Sequence, residues 1–162
     1  MGRLDKNKVL ESLIAQTEKE LEVAIHAAKV AHQDATNEES RPENEYDTRA
    51  LEASYVARGQ AQRVADLKEA LYDFKHITMK DFGAASPITA TAVIEVECED
   101  KRHLLFFLPK GGGASVMVDQ ERVQIVTPNT PLGQALLQMK KGDSVIVDLA
   151  KTEKEYEILD VY

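Results

Sequence analysis

The residues whose types and spacing could do chemistry are concentrated in one short stretch. Asp34, Glu38, Glu39, Glu43, Glu45 and Asp47 stand close together with Arg41 as the one cation among them. Carboxylates crowded in this way repel one another, and they supply the oxygen ligands that a hard cation such as Mg²⁺ or Ca²⁺ requires. The same run also reads as a solvated acidic turn, with Glu43 and Glu45 favourably placed at the positive end of a following helix. Local chemistry leaves both readings open.

Other reactive side chains are scattered. His26 and His32 lie six positions apart, so they miss the i, i+3 or i+4 spacing that puts two ligands on one helical face. His76 and His103 have no acidic or cysteine partner at ligand spacing, and all four histidines are expected at the surface or its boundary. The sole cysteine, Cys98, excludes a disulfide framework within the chain and a Cys-rich zinc site. It reads as a small semi-buried strand residue in a chain compatible with a reducing cytoplasm. No GxSxG, HExxH, GxxxxGKS/T or DxDxDG motif occurs. Lys110-Gly-Gly-Gly-Ala114 follows a strand pattern as a phosphate loop would, yet it lacks the lysine-hydroxyl ending and a helical sequel. It reads as a strand connection.

The acidic run must be positioned by what flanks it. From Asn7 to Asn37 no glycine or proline interrupts the chain, and Leu10, Ile14, Thr17, Leu21, Ala24, Ala28, Ala31 and Ala35 recur in alternating steps of four and three. Ala50, Ala53, Ala57, Gln60, Val64, Leu67, Leu71 and Phe74 repeat the series. This is the spacing of a helix packed on another helix. Asn37, Ser40, Pro42 and Asn44 interrupt it with turn formers. The pattern therefore predicts an antiparallel hairpin over 1–76, roughly 45 Å long at the rise of an α-helix, with the acids at its tip. Large seam residues (Leu10, Ile14 and Leu21 with Val64, Leu67 and Leu71) lie at the open end and alanines near the turn, which makes the tip slim. Gly59 inside the second helix reads as a tolerated defect.

Beyond a linker at 77–87, where Gly83, Ala84, Ala85, Ser86 and Pro87 cluster, the period changes to alternation. Thr89–Cys98, His103–Leu108, Ser115–Val118, Arg122–Thr127, Ser144–Leu149 and Glu155–Val161 read as short strands of a small curled antiparallel sheet. One helix is expected over Pro131–Met139, with Thr130 as N-cap, Pro131 at the first position and Gly142 closing it. The fold class is α+β: a helical coiled-coil hairpin followed by a strand-rich module at 88–162.

Composition bounds the rest. With 162 residues and 43% apolar content, the chain holds one domain or two small modules and is not disordered throughout. Twenty basic against 28 acidic residues give a net charge of −8, which argues against binding a phosphate backbone by net charge. Residues 1–75 hold 11 basic and 15 acidic side chains, leaving 9 and 13, so each part carries −4. No apolar run approaches the roughly 20 residues of a bilayer span. The start, MGRLDKNKVLESLI, has no apolar core or cleavage site of a signal peptide. A cytoplasmic location without membrane contact is expected.

Two stretches carry a family resemblance. Thr127-Pro-Asn-Thr-Pro-Leu-Gly-Gln-Ala-Leu-Leu137, then Lys141-Gly-Asp143 and Glu155-Tyr-Glu-Ile-Leu-Asp-Val161, resembles the C-terminal domain of the GreA/GreB transcription elongation factors. The hairpin with Glu43-Asn-Glu-Tyr46 at its tip resembles their coiled-coil domain. The resemblance implies an FKBP-like C-terminal domain that docks on RNA polymerase at its secondary channel, and a coiled coil that enters the channel. It implies an accessory factor rather than an enzyme, acting as a monomer, with no cofactor of its own and nascent RNA or DNA met only through the polymerase. Glu38, Glu39, Glu43 and Glu45 would assist the polymerase's active centre, Glu39 and Glu43 helping to hold its Mg²⁺ during cleavage of a backtracked transcript. Asn129, Thr130, Pro131 and Leu132 match the docking loop, while Gln138 replaces the glycine usual after the leucine pair.

The family tip reads G-D-L-x-E-N-A-E-Y. Aligned on Tyr46 without gaps, Glu39 takes the Asp position and Pro42 the Glu position; a one-residue shift restores Glu43-Asn44 as the Glu-Asn pair. The altered pattern makes a channel factor that modulates or inhibits without cleavage the alternative reading. An FKBP-like prolyl isomerase is a remoter one, opposed by the absence of tryptophan and of an aromatic-lined pocket in the pattern.

Overall fold

The computed structural model describes residues 2–37, 43–44 and 48–162. Two helices come first, α1 (Lys6–Thr36) and α2 (Arg49–His76). Six strands and one short helix follow: β1 (Val93–Cys98), β2 (Lys101–Phe107), β3 (Ser115–Val118), β4 (Glu121–Val126), α3 (Pro131–Leu136), β5 (Ser144–Leu149) and β6 (Thr152–Val161). The chain divides into two compact units, Ile14–Lys75 and a second made of Met1–Leu13 with His76–Tyr162. Among the described residues no helix is long and apolar enough to cross a membrane.

The helical unit follows the heptad spacing closely. Thr17, Ala24 and Ala31, one heptad apart, are buried, and Leu21, Ala28 and Ala35, each four residues further on, are half-buried. On α2 each of the eight seam positions from Ala50 to Phe74 is half-buried or buried, while most of the residues between them are exposed. Small seam residues leave little apolar area to bury, so cross-helix ion pairs supplement it: Lys75 to Glu18 at 3.1 Å and Arg63 to Glu20 at 4.0 Å. Both are exposed and contribute little each. Gly59 is exposed, and a side chain there would meet nothing within 4 Å, so it is a tolerated defect and not a helix crossing.

In the first turns of α1 the buried positions are Val9 and Leu13, one residue ahead of the expected Leu10 and Ile14, which are half-buried. Those turns belong to the strand-rich unit, so that unit sets which side of the helix is buried there. Leu4 donates its backbone N–H to the Tyr162 hydroxyl at 3.1 Å, and Lys8 pairs with Asp119 at 3.3 Å. The hairpin periodicity, read over 1–76, does not register this division, because a helix continues through it without a break.

The sheet has the order β3-β4-β2-β1-β6-β5. It is mixed and not purely antiparallel: β2 and β4 pair in parallel, Leu104 opposite Val123, while every other neighbour is antiparallel. Strand β3 turns back on the outer edge of β4, so β4 runs in the direction of β2; an alternating pattern does not disclose such an exchange of neighbours. Both faces of the central strands are covered. Ile94, Val96, Leu105, Phe107, Val126 and Leu136 belong to the core beneath α3. Val93, Leu104, Phe106, Val123 and Ile125 are buried on the opposite face. Burying one such leucine or phenylalanine is worth about 1.5–3 kcal/mol, which makes this unit the apolar anchor of the chain. Cys98 ends β1, a strand residue as expected, and is buried where the sequence pattern suggested a semi-buried place.

Helix α3 is shorter than expected. It ends at Leu136, and Gln138 turns into the left-handed region at φ 68°, so Gly142 (φ 92°) serves a separate turn and not the helix end. The backbone N–H groups of Gln138 and Ile88 bond to the carbonyls of Ile88 and Met139 at 2.9 and 2.8 Å. That exchange draws residues 138–139 out of the helix.

Candidate functional site

The acidic turn is described in part. Asp34, in the last turn of α1, and Glu43 with Asn44 are exposed. Glu38, Glu39 and Glu45, with Arg41 and Asp47, lie outside the described residues. Thr48 precedes α2, its carbonyl accepting the Glu52 N–H at 2.9 Å while its hydroxyl donates to the Glu52 carboxylate at 3.2 Å. This closes the first turn of the second helix and fixes where the acidic connection must end. Arg49, which the sequence reading did not count among the tip charges, pairs with Glu43 at 3.4 Å between mostly exposed side chains. An exposed pair of this kind is worth roughly 0–1 kcal/mol. Among the described residues no three His, Cys, Asp or Glu side chains are gathered to hold a metal.

The second candidate, the loop entering α3, is built residue by residue. The Thr130 hydroxyl donates to the Thr127 carbonyl at 2.9 Å and accepts from the Gly133 N–H at 3.1 Å. It therefore caps the helix and ties the loop to the end of β4 at once. Gly133 has no alternative here: a Cβ would stand 1.7 Å from the Thr127 carbonyl oxygen. Gly112 in the triple-glycine connection is held to the same residue, since a Cβ would come within 2.9 Å of the Thr127 hydroxyl. The glycine run is thus the connection that its lack of a phosphate-loop ending indicates, and it also cradles Thr127. Of the four expected docking residues, Asn129 and Pro131 are exposed, Thr130 is half-buried in its cap, and Leu132 packs on the core. The loop presents two side chains outward and uses the other two to hold them still.

The four histidines are exposed, as expected, and none joins a ligand cluster among the described residues. On the face of the sheet opposite α3, Arg102 bridges Glu95 and Glu121, the latter at 3.2 Å. Its hydrogen bond to Glu95 first, and that to Glu121 after it, hold the guanidinium firmly in its charged form. This pairing aligns β1, β2 and β4.

A helical hairpin with acids at its turn and a mixed-sheet α+β unit with a rigidly capped, outward-facing loop define a class: a two-part protein with separate candidate sites on each part. Residues 116–162 match the family described as transcription elongation factor, GreA/GreB, C-term. That match takes in β3 to β6 with α3 and its capped loop. No curated protein matches the chain. Among solved structures, GreA factor homolog 1 (Gfh1) of Thermus thermophilus is 16% identical, with 92% of this chain and 94% of that one covered at a TM-score of 0.37. Gfh1 of Thermus aquaticus is 18% identical over 91% and 92%, with a TM-score of 0.39. A GreA/GreB factor from Nitrosomonas europaea is 16% identical over 59% and 78%, with a TM-score of 0.37. Likeness at these scores carries no argument.

Proposed function

We propose that this chain is a transcription elongation factor of the GreA/GreB kind that binds RNA polymerase at the secondary channel. On this reading its capped loop docks the strand-rich unit, and the hairpin tip stimulates cleavage of backtracked transcripts. The observation that carries the reading is the family match over 116–162, which includes the loop that exposes Asn129 and Pro131 while Thr130 and Gly133 lock its backbone. A rigid loop with exposed side chains loses little entropy on docking, which favours a specific contact.

The chemistry on this reading belongs to the polymerase. Its Mg²⁺ ions would supply the activated water and stabilise the leaving oxygen in a two-metal hydrolysis. The chain's own part is to bring carboxylates: Glu39 and Glu43, with Glu38 and Glu45 beside them, add negative charge where the polymerase's ligands leave a cation incompletely held. Glu43 already faces a cation, Arg49, through an exposed pair. The chain acts as an accessory factor and contributes no cofactor of its own.

Co-purification with core RNA polymerase, followed by a transcript-cleavage assay on stalled complexes, tests both parts. The expected result is a stable complex and shortened transcripts that resume elongation. Pro42, which takes the family's Glu position in the ungapped alignment, favours a second reading in which the factor occupies the channel and modulates without cleavage. Binding with no gain in cleavage would select it.

A further inference from the structure

The sheet face beneath α3 is left open beyond Leu132. There lies a hollow of about 290 Å³ lined by Lys101, His103, Gln124, Leu132, Lys154 and Tyr156 among others. Strand register explains how these residues meet. His103 stands opposite Val96, and Gln124 opposite Leu105, so they share the face that buries Val96 and Leu105. Tyr156 stands opposite Val145 on the same face. An adjoining hollow of about 330 Å³ shares His103 and Gln124 and adds Arg122, with Arg102, Leu104 and Glu121 of the opposite face completing its lining.

The charge of this face runs against that of the chain. Lys101, Arg122 and Lys154 stand on it beside the acid Glu99, in a protein of net charge −8. Glu99, which also lines the hollow, is the ion-pair partner of Lys154 at 3.2 Å, and its own side chain is mostly exposed, so a partner's carboxylate can take its place at small cost. Lys101 and His103 pair with Cys98 and Val96 in the β1–β2 ladder and are exposed. Burial, with the neighbouring Cys98 adding to it, raises the Tyr156 phenol above its ordinary value, so it remains a neutral donor. Leu132 and the buried Leu105 give the hollow an apolar floor.

We propose that this hollow receives an acidic segment of a protein partner, with carboxylate side chains meeting Lys101, Lys154 and Arg122 and an adjoining apolar side chain resting on Leu132. The inference rests on the proposed function, in which the partner is RNA polymerase, and it assigns the polymerase surface that meets this unit an acidic character. A nucleic acid fits less well. Backbone binders neutralise several phosphates with many cations, whereas this face offers three cationic side chains, Lys101, Arg122 and Lys154, and an apolar floor on an acidic protein. Leu132 also joins the hollow to the loop that exposes Asn129 and Pro131, so one partner segment can engage both.

Binding of core RNA polymerase to the fluorescently labelled full chain, titrated at low and high salt, tests this. Reversing both lysines (K101E/K154E) should weaken binding about tenfold and flatten its salt dependence. K151E, in the β5–β6 turn outside the hollow, should leave affinity unchanged. If the reversed protein fails to fold by circular dichroism, K101Q/K154Q carries the same test with roughly threefold weakening expected. Wild-type affinity in folded K101E/K154E or K101Q/K154Q overturns the inference while the polymerase reading stands. Failure of the wild type to bind polymerase overturns that reading and the inference with it. A single-stranded RNA oligonucleotide that binds the wild type and is lost in K101E/K154E overturns the inference in favour of a nucleic-acid site.

Discussion

Thr127 is the residue on which the best-defined local structure converges. Its carbonyl accepts from Thr130 and blocks any side chain at 133, while its hydroxyl lies against Gly112. Gly133→Ala should therefore destabilise the strand-rich unit by about 2–4 kcal/mol, because backbone has to shift to admit the methyl group. Thr130→Ala should cost about 1 kcal/mol for the lost cap, and Thr130→Ser should restore most of it. The two substitutions should combine non-additively, since both act on the Thr127 carbonyl; urea midpoints of the single and double variants check this. Tyr162 offers a pH test. Burial raises its phenol above the ordinary value of about 10, outweighing the Leu4 N–H bond that favours the charged form. The folded state thus keeps a proton that the unfolded state releases, and stability is present below pH 10 and lost as pH rises beyond it. The gap in urea midpoint between wild type and Tyr162→Phe should shrink as pH is raised past 10. The motif at Thr127–Leu137 was legible as a string of residues. What it does locally was not, because the partner of Gly133 is a carbonyl oxygen and that of Gly112 is the side chain of Thr127, just past the end of β4, and neither contact leaves a periodic trace.

At the scale of elements, legibility follows locality. Helices α1 and α2 declare themselves because each seam position is three or four residues from the next, and the half-buried positions of α2 coincide with the expected series. The strands are legible as segments, but their neighbours are not: the parallel β2–β4 pair depends on β3 taking the outer edge. Helix α3 ends early for a similar reason, since Gln138 and Ile88 form bonds across fifty positions. The basic hollow was missed altogether, because Lys101, Gln124 and Lys154 come from three strands and carry no common spacing. One element-level prediction needs only local physics. Gly59 is exposed in the middle of α2 with nothing within 4 Å of a would-be Cβ. Gly59→Ala should raise stability by roughly 0.5–1 kcal/mol through helix propensity alone, seen as a higher melting temperature in the helical circular dichroism signal. Polymerase binding should not change.

For the molecule as a whole, the two candidate sites lie on different compact units, one on Ile14–Lys75 and one on the unit containing His76–Tyr162. Thermodynamic separability follows, since side chains with no shared partners act independently. Replacing Glu39 and Glu43 together by glutamine removes two charges and keeps side-chain volume. Affinity for core polymerase should therefore stay near wild type, because the loop at 129–132 and the hollow beside it are untouched. Cleavage on backtracked complexes should fall by roughly ten- to hundredfold, the usual cost of removing groups that support a metal from outside its permanent ligands. The single variants distinguish the two alignments of the tip. If the ungapped frame holds, Glu39→Gln alone should account for most of the loss; if the shifted frame holds, Glu43→Gln should contribute comparably. Raising Mg²⁺ should partly rescue the double variant in the cleavage assay and should leave binding unaffected. Loss of binding in the double variant would show instead that the acids hold the hairpin to the polymerase, and would remove their assignment to the chemistry.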